Sequence, residues 1–203
     1  MSCDYSLSGH LQSECIPTSV GYNSEFYLAT WMDWNTALKA SSISISADTT
    51  GNTHIVKVGE TVSTKCLVQF SDMRTAVFSG STKAKADSPL NVPWYTKTIQ
   101  IGVDKNAYLG GTTNDKKMAD NSAMINVLTA GRVVLIAERT DGTGYEVFGG
   151  LSPLKASAVD QSLASDDSNS GMITLTFEAT EGDFSVLLDA TSDELAKLLK
   201  ATT

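Results

Sequence analysis

The chain has 203 residues, of which 41% are hydrophobic and 19% charged, so a packed core is expected and global disorder is not. The net charge is −8, and the excess is uneven, because residues 156–203 contain nine acidic and two basic side chains. A surface of that sign repels phosphate groups, which disfavours sequence-specific DNA recognition.

Three cysteines, Cys3, Cys15 and Cys66, are odd in number and lack CxxC spacing. This usage is typical of a protein made in a reducing cytoplasm without a disulfide framework. The first residues lack the basic stretch and apolar core of a signal peptide, and no apolar run approaches the ~20 residues of a membrane span. We therefore expect cytoplasmic synthesis and no membrane span.

The polar segment 1–24 is interpreted as an N-terminal arm, and a β-rich domain is expected at 25–190. After the first strand, Trp31–Trp34 predicts a loop or one helical turn. Apolar runs and period-two alternation predict the strands. They are expected at 25–30, 42–46, 54–58, 66–70, 96–103, 132–139, 145–149, 172–178 and 184–188.

Two helices are predicted. One covers roughly 114–129, where Asn114 suits the cap and Gly131 the exit. The other lies within the C-terminal segment 191–203, where Thr191 and Glu194 have capping-box spacing.

Two polar stretches without periodicity, near 79–95 and 156–171, are predicted to be long loops. In contrast, the continuous apolar run within 132–139 predicts a strand covered on both faces. About eight strands, one flanking helix and a short C-terminal helix predict a mainly-β domain, an antiparallel β-sandwich or barrel.

The sequence shows no constellation typical of catalysis. His10 and His54 are the only histidines, and neither accompanies a nucleophile motif. Cys3, His10 and Cys15 do not match a zinc-ligand spacing, and Asp166–Asn169 lacks the rest of a calcium loop. We expect a protein that is not an enzyme, with no catalytic residue, metal or cofactor.

The predicted loop near 79–95 combines basic and aromatic residues. Lys83, Lys85 and Lys97 flank Trp94 and Tyr95. This interleaving favours a subunit contact anchored by a buried aromatic, and our hypothesis assigns Trp94, Tyr95, Lys83 and Lys85 to that contact. Single-stranded nucleic acid binding and a tryptophan packed at the loop root are the alternatives.

The acidic C-terminal third supplies a second hypothesis. Its carboxylates are expected to face a channel lumen or the solvent, where they would let DNA pass without sticking. The residues concerned are Asp160, Asp166, Asp167, Glu178 and Asp183.

Several segments together resemble one protein group. They are residues 1–6, 25–30, 93–101, 131–138, 145–149 and 171–177. The group is the virion structural proteins of tailed phages of Bacteroidetes bacteria, crAss-like phages included. The strand–helix–hairpin order is similar to that of the tail-tube family and its relatives in the neck and tail, and the resemblance covers roughly residues 90–180.

The resemblance implies a small antiparallel barrel or sandwich flanked by a helix. Copies would join edge to edge into a hexameric ring that lines a DNA conduit for genome ejection, in contact with other tail, neck or capsid proteins of the virion. DNA would pass without specific binding. The alternatives are a capsid auxiliary or decoration protein, and a carbohydrate-binding module of a fibre, which would need several exposed aromatics on one sheet face.

Overall fold

The structure of the chain is a computed structural model. It describes residues 22–47, 54–70, 78–85, 94–104, 125–140, 144–161 and 172–200.

Eleven strands and three helical segments make up the described part of the chain. The strands are β1 (Tyr22–Thr30), β2 (Ile43–Ala47), β3 (His54–Val58), β4 (Val68–Phe70), β5 (Phe78–Lys85), β6 (Trp94–Asp104), β7 (Arg132–Arg139), β8 (Tyr145–Phe148), β9 (Leu154–Gln161), β10 (Met172–Glu181) and β11 (Val186–Asp189). The helices are α1 (Trp31–Lys39), α2 (residues 125–130) and α3 (Ser192–Lys197). The predicted mainly-β, sandwich-like fold is confirmed.

All strands belong to one open, branched sheet. Its main path runs β2-β3-β11-β8-β7-β9-β10-β6-β5, and β1 branches from β7 and pairs in turn with β4. Every pairing is antiparallel except β11 with β3, so the sheet is mixed but mainly antiparallel, in agreement with the predicted fold class.

The central strands β1 and β7 are buried on both faces, as predicted for β7. On β7, Val133, Leu135 and Ala137 face one core, whereas Val134 and Ile136 face the other. This follows from the period-two alternation of a strand, which sends successive side chains to opposite faces. The sequence of β7 is continuously apolar because the strand is central and both of its faces are buried.

The first core lies between the central strands and a four-strand sheet, by which we mean β5, β6, β10 and β9 in that spatial order. Ile99 and Ile101 of β6 pack there with Leu175 and Phe177 of β10. The four-strand sheet therefore buries one face in this core, and its opposite face points away from the core.

The second core is closed by helices. Trp34 of α1 and Leu195 of α3 are fully buried against it, and the indole N–H of Trp34 donates to the carbonyl of Gly150 at 3.3 Å. Thr30 caps α1 by accepting from the backbone N–H of Asp33. The loop or single turn predicted at Trp31–Trp34 is thus a nine-residue helix. No helix of the described residues is both long and apolar enough to cross a membrane.

Both predicted long loops are partly wrong. Residues 78–85 form β5 and residues 156–161 belong to β9, while 86–93 and 162–171 lie outside the described residues. These strands are polar because they lie at edges of the four-strand sheet, where little side-chain surface is buried and backbone pairing defines the strand. An apolar alternation is therefore missing from their sequences.

Other boundaries differ by a few residues or lie outside the described ranges. The first strand begins at Tyr22 instead of residue 25, and the arm 1–21 is not described. Of the helix predicted at 114–129, residues 125–129 are helical and the rest is not described.

Candidate functional site

The outward face of the four-strand sheet is rich in hydroxyl groups. On β6, the buried Lys97 and Ile99 point into the core, so the residues between them point outward. The registers of β6 with β5 and with β10, and of β10 with β9, extend this face over the four strands. We call it the hydroxyl face; its uncharged polar members include Ser81, Thr96, Thr98, Gln100, Thr174, Thr176 and Thr180.

Charges on the hydroxyl face are balanced among the described side chains. Glu178 lies opposite Lys155 in the pairing of β10 with β9, and both are exposed. Asp160 is exposed opposite Thr174, and Lys83 is exposed opposite Thr96. Two carboxylates and two ammonium groups make this face nearly neutral, in contrast to a uniformly acidic wall.

The four residues predicted to form a subunit contact lie at one end of β5 and β6. Trp94 begins β6 opposite Lys85 of β5, points outward and is 41% exposed. Tyr95 points the other way and packs edge-on against Phe184 with ring centroids 5.5 Å apart. Lys83 is exposed on β5, and the side chain of Lys85 is outside the described set. Trp94 is the one aromatic among the described side chains of the hydroxyl face.

Asp183 corrects one prediction, because it does not face the solvent. It is 6% exposed, and one of its oxygens accepts from the backbone N–H of His54 and lies 2.8 Å from the Nδ1 atom of the same residue. It thereby joins the β10–β11 connection to the start of β3. A carboxylate is buried only where hydrogen-bond donors or charged partners such as these compensate for its lost hydration.

The carboxylates of the acidic C-terminal third have separate structural roles and do not form one surface. Glu181 is fully buried beside Lys97, and Asp189 pairs with Lys57 at the surface at 3.1 Å. Glu194 completes the predicted capping box with Thr191, and the hydrogen bonds from Thr191 lower the pKa of its carboxyl. Asp160 and Glu178 are the predicted residues found exposed, and Asp166 and Asp167 lie outside the described residues.

A cavity of about 340 Å³ opens where the four-strand sheet meets the central strands. Buried Glu146 lies in its wall, where Tyr22 donates its hydroxyl to Oε2 at 2.5 Å and Ser185 donates to Oε1 at 2.8 Å. Lys97 also lines it, with Nζ 5.7 Å from the ring centroid of Phe148. The cavity is amphipathic, with hydroxyl and charged groups on aromatic walls.

Lys97 and Glu181 form the most deeply buried ion pair of the described residues. The Nζ–Oε2 distance is 2.7 Å, and both side chains are at most 1% exposed. The other oxygen of Glu181 accepts from the backbone N–H groups of Leu151 and Ser152 at 3.1 and 3.4 Å. This pair fastens β6, β10 and the β8–β9 connection together, and sequence spacing gave no signal for it.

Among the described residues, the cysteine, histidine and acidic side chains that often act in catalysis do not form one site. Cys66 is buried, and burial, together with the nearby charge of Asp33, raises the pKa of its thiol to about 12. No three His, Cys, Asp or Glu side chains of the described ranges are close enough to hold a metal ion. His54 has a carboxylate partner, and Cys3, His10 and Cys15 lie outside these ranges.

Comparisons with protein-family models, curated proteins and solved structures found no match to this chain.

Proposed function

We propose that the chain is a structural protein of a phage virion, a tail-tube-like or neck-ring component whose copies join into a hexameric ring around a DNA conduit. The observation that supports this most is the four-strand sheet. One of its faces closes a hydrophobic core, the other is polar and nearly neutral, and it ends in strand edges without a described partner. A sheet of this kind is suited to lining a channel.

The edges of the four-strand sheet offer a route to lateral assembly. Within the described residues, β5 pairs with β6 alone, and β9 beyond Lys155 pairs with β10 alone. Unpaired edges of this kind attract further strands. Because the sheet has four antiparallel strands, β5 and β9 run in opposite directions, so β5 of one copy can pair antiparallel with β9 of the next.

The hydroxyl face supports passage of DNA without retention. Affinity for nucleic acid backbones grows with the number of phosphates neutralised by lysine and arginine. Here Lys83 and Lys155 are matched by Asp160 and Glu178, and the whole chain has a net charge of −8. Among its described side chains, a channel lined by this face would present hydroxyl groups and equal numbers of lysines and carboxylates to DNA, without a cationic track.

Trp94 is the proposed anchor of the contact between copies. It is large, 41% exposed and adjacent to the free edge strand β5. Tryptophan is enriched among interface residues whose truncation costs more than about 2 kcal/mol. The position at the end of β6 allows contact either with a lateral neighbour or with a ring stacked above.

The test is assembly of the purified full-length protein, followed by light scattering and negative-stain electron microscopy over a concentration series. We expect rings or tubes for the natural chain and a shift toward monomer for Trp94→Ser. Met32→Ser is the matched control, since Met32 is 76% exposed on α1 and remote from β5 in the fold. A strict monomer at high concentration, with no rings or tubes, would refute the proposal.

A further inference from the structure

The amphipathic cavity of about 340 Å³ has the size and the aromatic walls of a small-molecule site. Its volume lies at the lower end of the roughly 300–1,000 Å³ that such pockets occupy. Tyr22 and Phe148 form one wall, with their ring centroids 5.7 Å apart, and Phe184 lines the same cavity with 61% of its surface exposed. The cavity therefore offers aromatic surface to a small ligand.

The formal charges at this cavity cancel among the described residues. Lys97 and Arg139 line it together with Glu146. Glu181 adds a second carboxylate, since its Oε2 atom lies 2.7 Å from Nζ of Lys97. A charged ligand would lose hydration here without meeting a net opposite charge, which costs free energy. The balance of two cations and two anions favours a neutral ligand.

Two buried groups of the cavity have hydrogen-bonding capacity left, and it is of opposite kinds. A carboxylate can accept about four hydrogen bonds. Glu146 receives two from the described residues, donated by Tyr22 and Ser185. An ammonium group has three donors, but Nζ of Lys97 contacts Glu181 outside hydrogen-bond geometry and finds no acceptor among the described residues. A ligand that donates to Glu146 and accepts from Lys97 would satisfy both.

We propose that this cavity binds a neutral, polyhydroxylated ring, which is the chemistry of a mono- or disaccharide. A hydroxyl group both donates and accepts hydrogen bonds, so neighbouring sugar hydroxyls can serve Glu146 and Lys97 together. The C–H groups of a sugar ring carry partial positive charge and are attracted to the negative face of an aromatic ring such as that of Phe184. The site is a pocket, distinct from the hydroxyl face with Trp94, and the inference does not depend on the proposed ring.

Saturation-transfer difference NMR on the purified full-length protein tests the proposal. The probes are glucose, galactose and mannose, each compared with its uronic acid and its 2-amino sugar at about pH 6, where both derivatives are charged. A ligand of about twelve non-hydrogen atoms is expected to bind in the millimolar range, so each titration extends to about 50 mM. We expect at least one neutral hexose to bind, and its two charged counterparts to bind about tenfold more weakly.

Variants of Phe184 assign the binding to this cavity. Phe184→Leu keeps an apolar contact with Tyr95 but removes the ring face, and it should weaken binding of the neutral sugar about fivefold. Phe184→Tyr keeps the ring and should retain the affinity. Met32→Leu is the control, since Met32 is 76% exposed on α1 and does not line the cavity.

Three results would overturn the proposal. The first is that no neutral hexose binds over this concentration range. The second is that a charged sugar binds more tightly than its neutral counterpart, because the charge balance would then not select the ligand. The third is that Phe184→Leu binds the neutral sugar as tightly as the natural chain does, because the sugar would then lie elsewhere on the protein.

Discussion

The buried pair Lys97–Glu181 leads to the most demanding prediction. Replacing Lys97 with Met keeps much of the side-chain volume but leaves the carboxylate of Glu181 buried without its counter-charge. Replacing Glu181 with Gln keeps an oxygen for the backbone donors of Leu151 and Ser152 but leaves the Lys97 ammonium unpaired. Each single change therefore leaves one charge unpaired in the core.

The expected loss in the free energy of unfolding follows from the burial of the two side chains. Removing one partner of a buried ion pair costs about 3–5 kcal/mol, because the remaining charge has lost its solvation and its partner. Both side chains here are at most 1% exposed, so solvent screening gives little relief. The double variant Lys97→Met/Glu181→Gln has no unpaired charge, and we expect it to be more stable than either single variant. The coupling free energy between the two positions should be at least about 1.5 kcal/mol.

The assay is urea denaturation of the four proteins, followed by tryptophan fluorescence. With a slope of about 2 kcal/mol per molar urea, a loss of 3–5 kcal/mol lowers the midpoint by roughly 1.5–2.5 M. Lys57→Met/Asp189→Asn and its single variants form the control cycle. The Lys57 and Asp189 side chains are 54% and 67% exposed, so their pair should contribute less than about 1 kcal/mol.

Two results would refute this reasoning. One is a single variant at position 97 or 181 that loses less than about 1 kcal/mol, since a charge in this environment must cost more than that. The other is strict additivity in the double variant, which would mean that the two side chains do not interact in the folded state.

Three further predictions concern separate sites. Thr191→Ala removes the capping box of α3, and thermal unfolding should show a loss of about 1 kcal/mol. Gly149 has φ +79° and an added Cβ would lie 2.9 Å from the carbonyl oxygen of Val133, so Gly149→Ala should destabilise the chain by at least about 1 kcal/mol in the same experiment. Burial opposes ionisation of Asp33, but hydrogen bonds from Lys200 and Thr30 lower its pKa below 3.8. Its stabilisation is therefore full above about pH 4 and is lost as the pH falls through the lowered value. The difference in unfolding free energy between the natural chain and Asp33→Asn should shrink on acidification, and a constant difference would contradict this assignment.

Local patterns in the sequence predicted the apolar framework well. The strand His54–Val58 agrees residue for residue with its prediction, and the capping box of Thr191 and Glu194 forms as its spacing indicates. These features depend on neighbours along the chain or on alternation within one strand. Such information is present in any window of about ten residues.

The candidate site was predicted less completely. The sequence singled out Trp94, and the structure finds it exposed beside an edge strand. It also singled out Asp183 as a surface carboxylate, which is wrong because His54, 129 residues away, satisfies it in the interior. A buried carboxylate and a solvated one have the same local sequence.

The sequence by itself determined a β-rich core, the two-sided burial of β7, the acidic balance and the start of the C-terminal helix, which ends at Lys197, earlier than predicted. Only the tertiary structure decided that residues 78–85 and 156–161 are strands, that Lys97 finds Glu181, and that the hydroxyl groups of three strands share one face. The physical reason is that hydrophobic periodicity is a property of short segments. Edge pairing and buried charge pairing, in contrast, depend on groups that come together only when distant strands align.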